Sequence, residues 1–63
     1  MSKREKEIVN LIAVSFTVNE IAHKTILSKH TIDTHKKNIF LKLEVLNNAE
    51  LTKKAMMLEI IQL

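Results

Sequence analysis

Residues 17–43 read TVNEIAHKTILSKHTIDTHKKNIFLKL, and this stretch decides the fold because two helices begin within it. Thr17 followed by Glu20 forms a capping box, in which the Thr side chain accepts from a free backbone N–H while the Glu reaches back. Ser28 is a second good N-cap residue. The two helices are therefore predicted over residues 18–25 and 29–43.

The short connection between these two helices is the most informative feature of the sequence. Only about three residues separate them, which is typical of a helix-turn-helix, and we place that motif at about residues 18–37. In such motifs the second helix can enter the major groove of DNA. Apolar side chains recur at helical spacing in both segments. They are Val18, Ile21 and Ala22 in the first and Ile32, Ile39 and Leu43 in the second.

Two further helices are predicted on either side of the motif. Ser2 with Glu5, and Asn47 with Glu50, repeat the capping-box pattern. The corresponding helices are predicted over roughly 3–14 and 48–60. Their apolar stripes are Ile8, Leu11 and Ile12 in the first and Leu51, Ala55 and Leu58 in the last. We also expect Val45, in the link before the last helix, to fill the core.

The composition favours a single all-α domain spanning residues 1–63. The hydrophobic fraction of 46% is normal for a globular chain, and 63 residues allow one modest core. Glycine and proline are absent, which removes the usual turn residues and every Gly-rich phosphate-binding loop. Cysteine is absent too, so disulfides and thiolate metal sites are excluded. No apolar run is long enough to span a membrane, and we expect a cytoplasmic protein.

Positive charge is concentrated in the same region as the motif. The net charge is +3, yet residues 24–42 contain five lysines and one acidic residue, Asp33. Such a concentration is expected of an element that faces nucleic acid. A solvated, lysine-rich helix face would give the same pattern, and charge alone does not separate the two interpretations.

One side of the predicted helix 29–43 carries candidate contacts to DNA. At about 100° per residue, five side chains cluster opposite the apolar stripe. They are His30, Asp33, Thr34, Lys37 and Leu41. Lys37 can donate to guanine O6 and N7 or to a phosphate, and Thr34 can contact a thymine methyl or a base edge. Lys29 and His30, beside the helix start, suit phosphate contact, whereas Lys36 lies on the flank and is expected to meet the DNA backbone.

Asp33 is the unusual member of this set, because a carboxylate that faces DNA normally repels phosphate. It can accept a hydrogen bond from cytosine N4. It can instead restrain Lys37 through an i,i+4 ion pair, and the sequence leaves both interpretations open. We hypothesise that Asp33 tunes specificity and lowers non-specific binding.

Four blocks of sequence, taken together, form a pattern that can be compared with known families. They are SKREKEIV (2–9), NEIA (19–22), SKHTIDTH (28–35) and NIFLKLEV (38–45). In order and spacing these blocks resemble the C-terminal domain of LuxR/GerE-family transcription regulators, and they cover essentially the whole chain. The resemblance implies a four-helix DNA-binding domain, often the output half of a NarL/FixJ-type response regulator in a two-component system.

The same resemblance implies partners and contact residues. It implies a homodimer on paired half-sites of double-stranded DNA, with helix 48–60 as a common dimer contact. A receiver or sensor domain, N-terminal to these residues in a longer protein, is a further implied partner. Carried over by position, base and phosphate contacts fall on Thr31, Asp33, Thr34 and Lys37, and backbone anchoring falls near Thr17 and Ser28.

Other functions have less support in the sequence. No Ser/His/Asp or Cys/His arrangement is visible, so we predict neither an enzyme nor a cofactor. The histidines at 23, 30 and 35 lack a Cys or paired carboxylate that would complete a metal site, and His35 is expected to pack in the core. Met56 and Met57 are expected either to form an adaptable dimer patch or to place one of the two in the core. The alternative functions are a protein-interaction module on the same scaffold and the promoter-reading segment of a sigma factor.

Overall fold

The computed structural model describes residues 1–60, and these form four α-helices and no strand. The helices are α1 (Lys3–Ala13), α2 (Val18–Thr25), α3 (Lys29–Leu43) and α4 (Asn48–Met57). The predicted all-α, four-helix architecture is therefore confirmed, including the short link between α2 and α3. α1 contacts each of the other three helices, and α2 packs along α3.

The helix starts follow the capping residues that the sequence indicated. Ser2 and Glu5 form a complete capping box at α1, and Thr17 and Glu20 form another at α2. In each box the hydroxyl accepts from the Glu N–H while the carboxylate accepts from the N-cap N–H. Ser28 caps α3 by accepting from the N–H three residues later.

The start of α4 departs from the prediction in one hydrogen bond. Asn47 Oδ1 accepts from the Glu50 N–H at 2.9 Å, as predicted. The Glu50 carboxylate, however, accepts from the Leu46 N–H at 3.3 Å, so the predicted return bond to the Asn47 N–H is wrong. The backbone explains the difference, because φ is −154° at Asn47 and −73° at Ser2. The more extended backbone turns the Asn47 N–H away from the carboxylate.

Each of the four helices is followed within two residues by a residue in the left-handed (αL) region, although the chain contains no glycine. These residues are Ser15, Ile26, Glu44 and Glu59, with φ between 57° and 69°. In each case the N–H of the next residue donates to the carbonyl five positions earlier, at 2.8 to 3.1 Å. This is the hydrogen bond of the Schellman motif, which an apolar contact commonly accompanies. The apolar residues are Phe16, Leu27, Val45 and Ile60, and all four pack on the core.

One cluster of buried side chains holds the helices together. Its largest fully buried members are Ile8, Val9, Ile21, Ile32, Ile39 and Leu51. Val45 is buried, as predicted. Two buried residues were not predicted, Val9 and Thr25. The Thr25 hydroxyl donates to the Ile21 carbonyl at 2.7 Å, so its burial leaves no polar group without a partner.

The predicted helix bounds hold approximately, but one predicted core residue is wrong. α1 ends at Ala13, close to the predicted end, and α4 ends at Met57, three residues before it. Leu58, which we placed in the apolar stripe of α4, caps that helix and is 53% exposed. The physical reason is that Glu59, in the αL conformation, reverses the chain direction. Ile60 therefore turns toward the core where Leu58 was expected.

Candidate nucleic-acid interface

The outer face of α3 presents the side chains that the sequence analysis placed there. This face comprises the exposed residues His30, Asp33, Thr34, Lys37 and Leu41. The opposite side of the helix is buried through Ile32, Ile39 and Leu43. α3 is therefore held on the core along one side, and its outer face is free to meet a large ligand.

Among the four helices, α3 is the one whose first turn contains no acidic residue. α1, α2 and α4 each carry a Glu in the first turn, whereas α3 has none there. Ser28 Oγ accepts from the Thr31 N–H and lies 2.8 Å from Thr31 Oγ1. The other first-turn N–H groups and the positive end of the helix dipole meet no carboxylate in this turn. Lys29 and His30 lie exposed here, so the turn suits an anion such as phosphate.

Two of the predicted contact residues are engaged within α3 itself. Thr34 Oγ1 donates to the His30 carbonyl at 3.1 Å, which leaves the methyl group and the oxygen lone pairs for a partner. The Lys36 ammonium lies 5.8 Å from the centroid of the Phe40 ring. This contact holds the half-buried Lys36 side chain on the flank of the outer face, where the sequence predicted it.

Asp33 and Lys37 lie one helical turn apart on the outer face and do not form an ion pair. Within residues 1–60 the ion pairs are Arg4–Glu7 at 2.7 Å and Lys42–Glu5 at 3.2 Å. One of the two interpretations of Asp33, the i,i+4 pair with Lys37, is therefore not formed. The Asp33 carboxylate, an acceptor, and the Lys37 ammonium, a donor, are therefore both available to a ligand in the middle of this face.

Lys42, at the C-terminal end of the lysine-rich segment, makes a contact between helices. Its ammonium bonds the Glu5 carboxylate and so joins the end of α3 to the start of α1. The Ser2 backbone N–H and then Lys42 lower the pKa of Glu5 below its ordinary value of 4.5. The Thr17 backbone N–H likewise lowers the pKa of Glu20. The other lysines of α3 lie at its start (Lys29) and in its middle (Lys36 and Lys37).

Thr17 lies apart from the other predicted contact residues. It caps α2, whereas Ser28 and the remaining set follow one another along the start of α3. Among residues 1–60, no hydrogen bond joins Thr17 to that set. The link beside Ser28 also carries Ile26, whose side chain is 91% exposed. No sequence pattern indicated an exposed isoleucine there.

Other kinds of site find little support in the part of the chain that the structure describes. No three His, Cys, Asp or Glu side chains come together there as metal ligands. His35 is half-buried on the flank of α3 rather than enclosed by the core. No helix between residues 1 and 60 combines the length and the hydropathy needed to cross a membrane.

A comparison with protein families identifies the family to which this fold belongs. The family described as "Bacterial regulatory proteins, luxR family" matches residues 1–55. The chain belongs to this family. The match includes α1 to α3 and most of α4, so it spans the whole outer face of α3. The resemblance inferred from the sequence is confirmed, and the match favours it over the sigma-factor alternative.

Individual luxR-family relatives are regulatory proteins of greater length. The chain is 45% identical over 56 residues to the "Uncharacterized response regulatory protein YgeK" of Escherichia coli (strain K12), covering 89% of the chain and 38% of that protein. It is 41% identical over 56 residues to the "Oxygen regulatory protein NreC" of Staphylococcus carnosus (strain TM300), covering 89% and 26%. It is 38% identical over 50 residues to the "CsgBAC operon transcriptional regulatory protein" of Escherichia coli (strain K12), covering 79% and 23%. The chain thus spans well under half the length of these relatives.

Proposed function

We propose that this luxR-family domain binds double-stranded DNA sequence-specifically as part of a bacterial transcription regulator. The proposal takes residues 1–63 as one domain, with a helix-turn-helix at about residues 18–37 and α3 as the recognition helix. The observation that carries it is the outer face of α3, which is exposed, flanked by lysines and free of acid in its first turn. In helix-turn-helix proteins this N-terminal half of the second helix contacts base edges in the major groove.

Phosphate contacts would fix the position of the domain on the duplex. Lys29 and His30 donate to phosphates beside the N-terminus of α3, together with the free backbone N–H groups of that turn. The hydroxyls of Ser28 and Thr17 hold the DNA backbone at the starts of α3 and α2, and Lys36 meets it from the flank. These contacts carry no sequence information, and they make the affinity depend strongly on salt.

Base contacts would come from the middle of the outer face. Lys37 donates to guanine O6 and N7. Thr34 presents its methyl group to thymine, because its hydroxyl proton is held by the His30 carbonyl. Thr31 contributes from the first turn, and Asp33 lies between these residues on the same face.

A homodimer through α4 would pair two recognition helices. Met56 and Met57 are exposed rather than packed in the core, and they give the end of α4 an adaptable apolar surface. A two-fold dimer places its recognition helices about one turn of DNA apart, which matches an inverted repeat. We also propose that an N-terminal receiver or sensor domain controls this binding. The supporting observations are the greater length of the relatives and the name "response regulatory protein" that one of them carries.

A DNA titration across salt concentrations tests the proposal. Labelled duplexes of about 20 bp accommodate two half-sites one helical turn apart, and binding of the 63-residue chain is followed by fluorescence anisotropy. We expect the logarithm of the affinity to fall linearly with the logarithm of the salt concentration. Lys37→Ala is expected to weaken binding to a preferred sequence by about 5- to 150-fold.

Lys53→Ala is the matched control, because Lys53 is an exposed lysine on α4. This variant is expected to bind DNA as the unsubstituted chain does. An equal loss from both variants would mean that only the net charge matters. Absence of binding at low salt would contradict the proposal and favour the protein-interaction alternative.

A further inference from the structure

The Asp33 carboxylate is the unengaged anionic acceptor on the outer face of α3. Its side chain is exposed, and within residues 1–60 no ion pair or hydrogen bond occupies it. Three lysines lie near it along the helix: Lys29 four positions before, Lys36 three after and Lys37 four after. None of them pairs with Asp33, so the carboxylate stays available to a ligand.

The neighbouring hydroxyls leave Asp33 as the dominant acceptor of this face. Thr34 Oγ1 donates to the His30 carbonyl, and Thr31 Oγ1 lies against Ser28 Oγ at 2.8 Å. Both hydroxyls are thus bonded within the helix and its cap, although the Thr34 oxygen keeps lone pairs and remains an uncharged, weaker acceptor. A carboxylate, by contrast, offers two oxygens with about four acceptor sites and no donor.

The chemistry of a bare carboxylate restricts what it can meet in a major groove. Phosphates, guanine O6 and N7 and thymine O4 present only negative or acceptor atoms, and they repel it. The groove donors are the cytosine N4 and adenine N6 amino groups. Adenine N7 is an acceptor directly beside N6, so adenine repels the second carboxylate oxygen. Cytosine N4 is the donor that remains without this penalty.

We infer that Asp33 is a specificity-determining residue that selects cytosine through its N4 amino group and opposes binding to sequences without cytosine at that position. The inference rests on the proposed function and adds a base preference to it. The same carboxylate repels the DNA backbone wherever no cytosine is in reach. Asp33 thereby lowers non-specific affinity and widens the ratio of specific to non-specific binding.

The position of Lys37 extends this preference to a neighbouring base. Four helical residues span about 6 Å along the axis, and base pairs are stacked about 3.4 Å apart. An acceptor at Asp33 and a donor at Lys37 therefore address base pairs within about two steps of each other. The expected half-site combines a cytosine with a nearby guanine on either strand.

Selection from a random pool of duplexes tests this inference. The unsubstituted 63-residue chain and three variants, Asp33→Asn, Asp33→Ala and Glu44→Gln, each select from the same pool, and the bound fraction is sequenced. Glu44→Gln is the matched control, because it removes the same charge from an exposed residue at the other end of α3. Affinity for an unselected duplex is measured beside each selection.

The variants should separate base reading from net charge. The unsubstituted chain is expected to enrich cytosine at one position, and Glu44→Gln should keep that enrichment. Asp33→Asn should move the preference toward adenine, because an amide can both accept from N6 and donate to N7. Asp33→Ala should reduce discrimination at that position by about 5- to 150-fold and bind the unselected duplex more tightly.

Failure of the inference is distinct from failure of the proposed function. The unsubstituted chain could enrich a motif that both Asp33 variants also enrich without any change of base. That result would overturn the role of Asp33 and leave the proposed function standing. A motif without cytosine near the recognition helix would do the same. If the unsubstituted chain enriches no motif, sequence-specific binding itself is contradicted, and the inference falls with it.

Discussion

At the residue scale, Ile26 occupies an unfavourable position. Its φ and ψ of 57° and 38° lie in the αL region, and its side chain is 91% exposed. The αL conformation costs an L-residue about 1–2 kcal/mol, and a side chain so exposed recovers little of this by burial. Glycine adopts the same conformation freely but loses more backbone entropy on folding. Ile26→Gly should therefore stabilise the domain by about 0.5–1 kcal/mol.

Thermal unfolding followed by circular dichroism measures this effect. For a domain of this size, 1 kcal/mol corresponds to about 4–8 °C in Tm. Leu46→Gly is the matched control, because Leu46 is 85% exposed and is not among the residues with positive φ. That substitution should not raise the Tm. An Ile26→Gly variant no more stable than the unsubstituted chain would contradict the αL explanation.

The outer face of α3 could be predicted from the sequence, but the partner of Asp33 could not. The face follows from helical periodicity, since Ile32, Ile39 and Leu43 must point to the core and their opposites to solvent. The i,i+4 spacing of Asp33 and Lys37 permits an ion pair. An exposed pair of this kind gains only about 0.3–0.5 kcal/mol, so pairing and solvation are nearly balanced. The spacing alone therefore does not decide between an Asp33–Lys37 ion pair and two separately solvated side chains.

At the element scale, the capping carboxylates link stability to pH. The Ser2 N–H and Lys42 lower the pKa of Glu5 below 4.5, so the folded state favours its ionised form more than the unfolded state does. This contribution to stability is fully present above the unfolded pKa. It is lost as pH falls through the lower folded pKa. We expect the domain to lose stability on acidification below about pH 4.5 for this reason.

Glu5→Gln separates this contribution from the rest of the acid response. The variant should be less stable than the unsubstituted chain at neutral pH, and the difference should shrink as pH falls, because protonated Glu5 resembles Gln. Chemical denaturation at a series of pH values measures it. Glu44→Gln, which removes a carboxyl that caps no helix start, serves as control. A pH-independent difference for Glu5→Gln would contradict the assignment.

The starts of all four helices could be predicted, as could the ends of α2 and α3, but the end of α4 could not. A start has a local signature, because the Ser, Thr or Asn that caps it is read directly from the sequence. An αL end usually has one too, namely glycine, and this chain has none. Glu59 carries no local signal for an αL end, and the helical periodicity of the apolar residues continues through Leu58. The apolar residue after each αL position, such as Val45 or Ile60, is the signal that was available.

At the scale of the whole molecule, the proposed homodimer depends on the end of α4. Met57 is 71% exposed and Leu58 is 53% exposed, which leaves an apolar patch beside the small core. On a duplex with two inverted half-sites, Met57→Lys should abolish cooperative binding. Affinity for a single half-site should be unchanged, because Met57 lies outside the outer face of α3. Gel-shift titrations on one-site and two-site duplexes measure both quantities.

Leu46→Lys is the matched control for this prediction. Leu46 is also exposed and receives the same charge, but it lies before the opposite end of α4, about 15 Å away by helix length. Cooperativity should survive in this variant. If both variants bind two half-sites as the unsubstituted chain does, α4 is not the dimer contact.

Nuclear magnetic resonance of the nitrogen-15-labelled chain, titrated with a short duplex at low salt, tests the central claim most directly. That claim is that the outer face of α3 meets DNA. The account predicts the largest amide shifts between residues 28 and 37, a smaller response at Thr17 and little change around Lys53 on a single half-site. Shifts concentrated on α4 or α1, or no shifts at all, would contradict it.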